Sequence, residues 1–283
     1  MSDTQEQLVF SLPRIMPGGQ LHFCPGCHHG IIHRLLGKCL DQNQLGESSI
    51  CVGSVGCSVF IYNYIDVDAV EAPHGRAPAV ATGVKRARPD AFVFGYQGDG
   101  DLASIGFSEI MHCANRGEDV TIVFVNNTVF GMTGGQMAPT TLVGQRTTTS
   151  PSGRRMENEG APLNMTELIA TLEGTAFSAR AAVNSIKNIK RAEKILQKAV
   201  KAQKNRSGFS FVEFLSACPT NWKMDPLQAN EHVGNTLVQR FPLGVFKDAT
   251  TGQSHSEGEG TAQDAAEESE GSTGTTGEHK AGQ

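Results

Sequence analysis

Two apolar runs constrain most strongly what this chain of 283 residues can fold into. "AFVFGYQ" (91–97) opens directly into "GDGD" (98–101), and "VTIVFVNN" (120–127) ends in an asparagine pair. Both runs are apolar at nearly every position, as strands covered on both faces are. Between them, "SIGFSEIMHCANR" (104–116) carries helical spacing. A strand, a crossover helix and a second strand predict a parallel pair.

The same alternation extends in both directions. "HHGIIHRLLGKCLD" (28–41) places Ile31, Ile32, Leu35, Leu36, Cys39 and Leu40 at helical spacing. "SSICVG" (48–53) reads as a short strand, and "APAVATGVKRAR" (77–88) as a small-residue helix stopped by Pro89. Residues 128–163 are rich in Thr, Gly, Pro and Ser and form a long irregular region, which is functional or disordered in most domains. Two more helix-to-strand units follow, "NMTELIATLE" to "TAFSAR" and "NSIKNIKRAEKILQKAVKAQ" to "FSFVEFLS". The expected fold is α/β, one open, mostly parallel, doubly wound sheet.

Charge divides the chain. From Asp248 onward there are eight acidic residues and one lysine, whereas the preceding part is close to neutral. "GQSHSEGEGTAQDAAEESEGSTGTTGEHKAGQ" has no large apolar residue to offset its ordering entropy, so 1–247 is expected as one α/β domain and 248–283 as an acidic disordered tail. No stretch has the length of a membrane span, and the N-terminus lacks a signal pattern, which predicts a cytoplasmic protein. Disulfides are rare in that compartment, so the seven cysteines need another explanation.

Ligands of open α/β sheets bind at the carboxyl ends of strands. Asp99 and Asn127 both lie at such ends, after adjacent apolar runs. Gly98 and Gly100 let the backbone approach a phosphate, and the following helix offers its N-terminus to an anion. Asp99 and Asn127 supply the hard oxygens that Mg²⁺ prefers when it shares its octahedron with substrate phosphates. A magnesium diphosphate site is therefore expected here.

"HFCPGCHHG" (22–30) allows three readings. A zinc ribbon needs a second close cysteine pair, and none exists. A dithiol at the start of a helix needs only Cys24 and Cys27, and leaves Cys57 in "VGCS" and Cys218 in "SACPTNW" without a role. A [4Fe–4S] cluster needs four thiolates. Cys39 and Cys113 fall on apolar helix faces and read as packing residues; Cys51, in an apolar strand, competes with Cys57 on spacing alone.

GDG followed later by NN resembles the thiamine-diphosphate motif, and its neighbours narrow the match. "NNTVFGMTGGQMAPTT", "EAPHGRAPAVATGVK", "CPGCHHG", "VGCS" and "FPLGVFKD" resemble the coenzyme-binding subunit of 2-oxoacid:ferredoxin oxidoreductases over residues 15–247. The resemblance implies the diphosphate-binding half of the thiamine-diphosphate fold. It implies Mg²⁺ held by Asp99, Asn127 and the Val129 carbonyl, and a [4Fe–4S] cluster on Cys24, Cys27, Cys57 and Cys218. Gly98, Gly100, Gly56, Ser58 and Thr133 join the coenzyme-binding set. The implied reaction is oxidative decarboxylation of a 2-oxoacid to acyl-CoA and CO₂, with electrons passed to ferredoxin. The pyrimidine-binding half and its activating glutamate are expected on an alpha subunit, so the chain alone is expected to be inactive, within a hetero-oligomer that includes further subunits.

Other residues stay open. His74 and Arg76 in "PHGR" suit either a diphosphate neighbour or a helix-capping turn. His28 and His29 read as first-turn residues. By the same resemblance, Met132 stands where some family members carry asparagine, which implies a substrate other than pyruvate and leaves 2-oxoglutarate and branched-chain 2-oxoacids. Lys187, Lys190, Arg191, Lys194, Lys198 and Lys201 suit the solvated face of an amphipathic helix, or less well a ferredoxin-steering stripe; with no aromatic platform beside them they do not suit nucleic acid. Two rival functions survive, a non-redox thiamine-diphosphate decarboxylase or synthase subunit and a zinc-stabilised binding protein.

Overall fold

The computed structural model describes residues 11–251. The acidic tail lies outside the described residues from 252 onward. In chain order the elements are α1 (His29–Gln42), β1 (Ser49–Ser54), β2 (Asp68–Ala72), α2 (Ala77–Ala87), β3 (Phe92–Gly98), α3 (Phe107–Asn115) and β4 (Thr121–Asn126). A two-stranded ribbon follows, β5 (Val129–Phe130) and β6 (Gln136–Met137), then α4 (Met156–Glu159), α5 (Met165–Ala170), β7 (Thr175–Ala182), α6 (Ile186–Lys204) and β8 (Phe209–Leu215). Three short helices, α7 (Pro219–Trp222), α8 (Pro226–His232) and α9 (Val238–Arg240), lead to β9 (Gly244–Asp248).

Seven strands form one sheet in the order β2-β1-β3-β4-β8-β7-β9. All neighbours are parallel except β9, which runs antiparallel to β7. The central strands are buried at every position of β1, β4, β7 and β8 because helices cover both faces. In β4, Val123 and Val125 face α1 and α6, while Ile122 and Phe124 pack with α2, α3 and α5. Period-two alternation thus divides apolar side chains between two cores rather than between core and water.

Two edge strands escape the sequence reading. In β2, Asp68, Ala69, Val70 and Glu71 are exposed, so its composition carries no apolar signal. In β9, the segment first seen only as a sequence match pairs with β7, and Asp248 is its last residue, opposite Phe177. The ordered fold therefore continues past position 247, through a 3₁₀ turn at Ala249–Thr251.

One charge is buried outright. The Arg180 side chain is fully covered, with Nε donating to Glu213 at 2.8 Å, its two terminal nitrogens donating to Glu167, and the rings of Phe241 and Phe246 against it. Glu213 in turn accepts from the Asn126 amide at 2.7 Å. This network ties β7 and β8 to the end of β4, where the asparagine pair lies.

Candidate functional site

The carboxyl ends of β1, β3, β4 and β8 meet at one edge of the sheet, with Gly98 opposite Val125 and Asn126 opposite Leu215. A cavity opens there, lined among others by Gly56, Cys57, Ser58, His74, Asp99, Asn127, Val129, Phe130, Met132 and Thr133. A larger depression, about 660 Å³, lies at the opposite end of the sheet between Arg14, Asp41, Glu47, Asp66 and Asp68, and holds none of the motif residues.

Asp99 is 1% exposed. Its carboxylate accepts from the Gly100 amide at 2.9 Å and from the Thr140 hydroxyl at 2.5 Å. Burial pushes its pKa up to about 7, because no cation of the protein faces it; the hydrogen bonds only partly oppose that shift. Asn127 directs Oδ1 to the Val129 amide at 3.2 Å, and its own carbonyl accepts from the Trp222 indole at 3.0 Å. Between them Thr128 has φ of 63°, a left-handed conformation that a β-branched residue takes only when its surroundings impose it. Its carbonyl is held by Thr141 and its hydroxyl by Gln145. Gly100 must lack a side chain, since a Cβ there would lie 2.5 Å from the Phe130 ring. A buried carboxylate without a counterion, beside an amide and a backbone carbonyl, has the hard-oxygen chemistry of a Mg²⁺ site.

The cysteines sort by position. Cys24 is exposed, while Cys27, Cys57 and Cys218 are part-buried. Cys24 and Cys27 close one turn, with the Cys27 amide donating to the Cys24 carbonyl at 2.9 Å. Cys57 follows Gly56, whose φ of 115° turns the chain sharply at the end of β1, and Cys218 follows β8. Burial first, then Cys218, Cys57 and Cys24, push the Cys27 thiol up to about 12. Cys57 rises to about 11, from burial and then Cys218 and Cys24. Cys51 instead faces the α1 side of the core and is 1% exposed. Cys39 and Cys113 are fully buried in the two cores.

Among the described residues no three His, Cys, Asp or Glu side chains close on one point as a single ion requires. Unpaired thiolates in so desolvated a place are unfavourable without a positive charge beside them.

A histidine–tyrosine wall closes the site from behind. His28 Nδ1 accepts the Ala217 amide at 3.2 Å, and His29 Nδ1 meets the Tyr96 hydroxyl at 2.6 Å. Burial lowers both imidazoles to about 4, so both are neutral at pH 7. His28 and His29 do begin α1, but they face inward. His33, beside Tyr96 and Tyr64, has no hydrogen-bond partner on either nitrogen.

Arg76 is not brought to the cavity. Its half-exposed guanidinium pairs with Glu109 on α3, because the turn before α2 points it outward. Thr133 sits exposed at the mouth, bonded to Gln136 at 2.7 Å. Sequence reasoning missed Thr140, Phe130, Val55 and Tyr96; only the "PTT" after the GMTGGQ loop hinted at Thr140. On α6, Lys198 pairs with Asp248 at 3.0 Å and Arg191 reaches the Leu243 carbonyl, so part of the basic stripe fastens β9. No helix of the described residues is long and apolar enough to cross a membrane.

The thiamine pyrophosphate (diphosphate) enzyme family, C-terminal TPP binding domain, matches residues 54–214. Ketoisovalerate oxidoreductase subunit VorA of Methanothermobacter thermautotrophicus is 48% identical over 227 residues, covering 80% of this chain and 48% of that protein. The chain thus spans about half the length of the VorA relatives it matches. 2-Oxoglutarate synthase subunit KorB of Archaeoglobus fulgidus is 33% identical over 235 residues, covering 80% of this chain and 84% of that one. The solved 2-oxoglutarate:ferredoxin oxidoreductase from Magnetococcus marinus, with 2-oxoglutarate, coenzyme A and succinyl-CoA bound, superposes with a TM-score of 0.68 at 26% identity, covering 83% of each chain. With the diphosphate motif at the ends of β3 and β4, these likenesses establish that the chain belongs to the thiamine-diphosphate-binding subunits of the 2-oxoacid:ferredoxin oxidoreductase family.

Proposed function

We propose that the chain is the coenzyme- and cluster-binding subunit of an enzyme that converts a 2-oxoacid and coenzyme A to acyl-CoA and CO₂. The carrying observation is that the Asp99–Asn127 cradle and the cysteines Cys57 and Cys218 flank one backbone segment at Gly131. In the overall reaction the bond between C1 and C2 breaks, CO₂ leaves, and a thioester C–S bond forms. Two electrons leave singly to ferredoxin, and one proton is released. Bound thiamine diphosphate supplies the electron sink for decarboxylation, and a [4Fe–4S] cluster accepts electrons one at a time.

The chain's own residues bind and orient. Asp99, Asn127 and the Val129 carbonyl hold Mg²⁺ on the diphosphate. Gly98, Gly100, Gly56, Ser58, His74 and Thr133 shape its cradle. Cys24, Cys27, Cys57 and Cys218 hold the cluster. Asn221 donates to the Cys218 sulfur at 3.3 Å and to the Gly131 carbonyl at 2.7 Å, a contact that tunes a sulfur ligand. Phe130 and Trp222 keep water from the metal side.

The pyrimidine half and its activating glutamate belong to a partner subunit, which the exposed Val55 and Met132 in the cavity lining are suited to meet. The lining contributed by this chain has no Lys or Arg to pair a distal carboxylate. With Val55, Phe130 and Met132 it favours a branched aliphatic 2-oxoacid over 2-oxoglutarate. A cytoplasmic location suits reduced thiols and ferredoxin.

The test is a screen of 2-oxoacids with the purified complex, coenzyme A and an artificial electron acceptor, paired with iron and sulfide analysis under anaerobic conditions. Branched substrates should lead, with about four irons per chain. An active but iron-free complex would point to the non-redox thiamine-diphosphate reading instead. Bound zinc with no saturable coenzyme binding would point to the assembly protein.

A further inference from the structure

The motif reads GDGD, and coenzyme binding uses only its first aspartate. The second, Asp101, is 3% exposed, and its carboxylate is the most heavily bonded acceptor at the site. Oδ1 accepts from the Ser54 hydroxyl at 2.9 Å, the Gly75 amide at 2.5 Å and His74 Nδ1 at 2.5 Å. Oδ2 accepts from the Gln97 amide at 2.6 Å. These donors come from three chain segments: the end of β1, the turn after β2, and β3. The turn is also pinned by backbone contact, since a Cβ on Gly106 would lie 2.4 Å from the Gly75 carbonyl.

The consequence falls on His74. A carboxylate cannot donate, so Nδ1 carries the hydrogen, and the ring is fixed by that bond. His74 lines the same cavity as Asp99 and Asn127, and Nε2 has no protein partner among the described residues. An imidazole held this way offers its far nitrogen to whatever fills the cavity, much as an outer carboxylate orients a metal-bound histidine.

We propose that Asp101 is a positioning residue that holds His74 so that its Nε2–H donates to an anionic phosphoryl oxygen of thiamine diphosphate. The proposal rests on the coenzyme reading above. The ring then lies between a carboxylate and a phosphate, and a hydrogen bond to either anion is charge-assisted. Because Ser54 is also bonded to Asp101, and the Ser58 hydroxyl donates to the Ser54 carbonyl at 3.3 Å, the loop carrying Cys57 hangs from the same carboxylate. One side chain thus fixes the coenzyme's anchor and Cys57, the proposed cluster ligand, relative to each other.

Asp101→Asn tests this without emptying the site. The amide oxygen takes the place of Oδ1 and keeps its three donors. The amide nitrogen then faces Gln97, whose Oε1 has no partner and becomes an acceptor when that amide turns over. The fold is retained and only the charge is lost. Thiamine diphosphate affinity, measured by calorimetry with Mg²⁺ on the full-length chain in the complex it purifies with, should fall about tenfold in D101N. His74→Ala should weaken it at least as much, and D101N should add nothing in the H74A background, since one residue acts through the other. Apo melting temperature should be nearly unchanged in D101N. Equal losses from D101N in both backgrounds, or no loss at all, overturn the proposal. Because His74 is part-exposed, H74A keeps the test open if D101N does not fold: unchanged affinity in H74A alone overturns it. An Asp99→Ala control separates the two levels. If D99A leaves coenzyme binding intact, the underlying site assignment fails; if D99A abolishes binding and D101N does nothing, only this proposal fails.

Discussion

Cys57 and Cys218 reach the same point of backbone from two different strands: a Cβ built on Gly131 would lie 3.6 Å from one sulfur and 3.8 Å from the other. The loop after the asparagine pair therefore runs between the coenzyme cradle and the cysteines. On the proposed reading, electrons leaving the cradle would reach a cluster ligand within one residue's width.

The two cysteines of the β1 region should separate cleanly. Cys57→Ser should drop iron and sulfide content by at least about half, because a four-thiolate site loses a ligand. Cys51→Ser should keep both, since its side chain faces the core. Its cost should instead be about 1–3 kcal/mol of unfolding stability from a buried hydroxyl. Anaerobic iron analysis and urea unfolding read the two effects; iron loss in the Cys51 variant alone would reverse the ligand assignment.

Asp99 predicts a pH dependence of known sign. Its folded pKa of about 7 lies above the ordinary carboxyl value of 3.8, so folding takes up a proton between those values. The metal-free protein therefore has this contribution in full below about pH 4 and loses it as pH rises through about 7, by up to roughly 4 kcal/mol. Asp99→Asn should flatten that slope. Magnesium reverses the balance, because it binds the deprotonated form, so its affinity should climb from pH 6 to about 7 and then level off. Chemical unfolding across pH, with and without Mg²⁺ and coenzyme, measures both.

Arg180→Ala leaves Glu213 buried without its cation and should cost about 3–5 kcal/mol. Because Glu213 also anchors Asn126, the loss should reach the cradle. Thiamine diphosphate affinity should fall although Arg180 lies outside the cavity. A stability loss with unaltered affinity would show that the network supports only the sheet.

Met132→Lys places a cation at the mouth, where 45% of the native side chain is exposed. On the branched-chain reading, kcat/KM for a branched 2-oxoacid should fall and that for 2-oxoglutarate rise, changing their ratio by about tenfold or more. Steady-state kinetics on the complex with both acids gives the ratio; no change would move substrate choice to the partner subunit.

The central strands were legible because both of their faces are covered, which makes consecutive residues apolar. β2 was not, because it lies at the sheet edge with four of its five residues in solvent. Asp99 and Asn127 were legible because each follows directly on an apolar run. Thr140 was not: it reaches Asp99 across forty-one positions, through a loop whose path no local pattern fixes. His74 and Arg76 looked equivalent in sequence, two residues apart in one turn. The turn sends one to the Asp101 carboxylate and the other outward to Glu109 on α3. Side-chain direction at a tight turn depends on what the turn packs against, and that information lies in distant segments.

The spread of the cysteines along the chain has a consequence for biogenesis. Nearly two hundred residues separate Cys24 from Cys218, and the second sits just after β8, the last of the central strands in the chain. A cluster shared between them cannot nucleate during synthesis of the N-terminal segment. On the proposed reading it would be delivered to a folded scaffold, past Cys24, the exposed member of the four. Maturation is then the last event, and the apo-protein must be stable enough to wait for it.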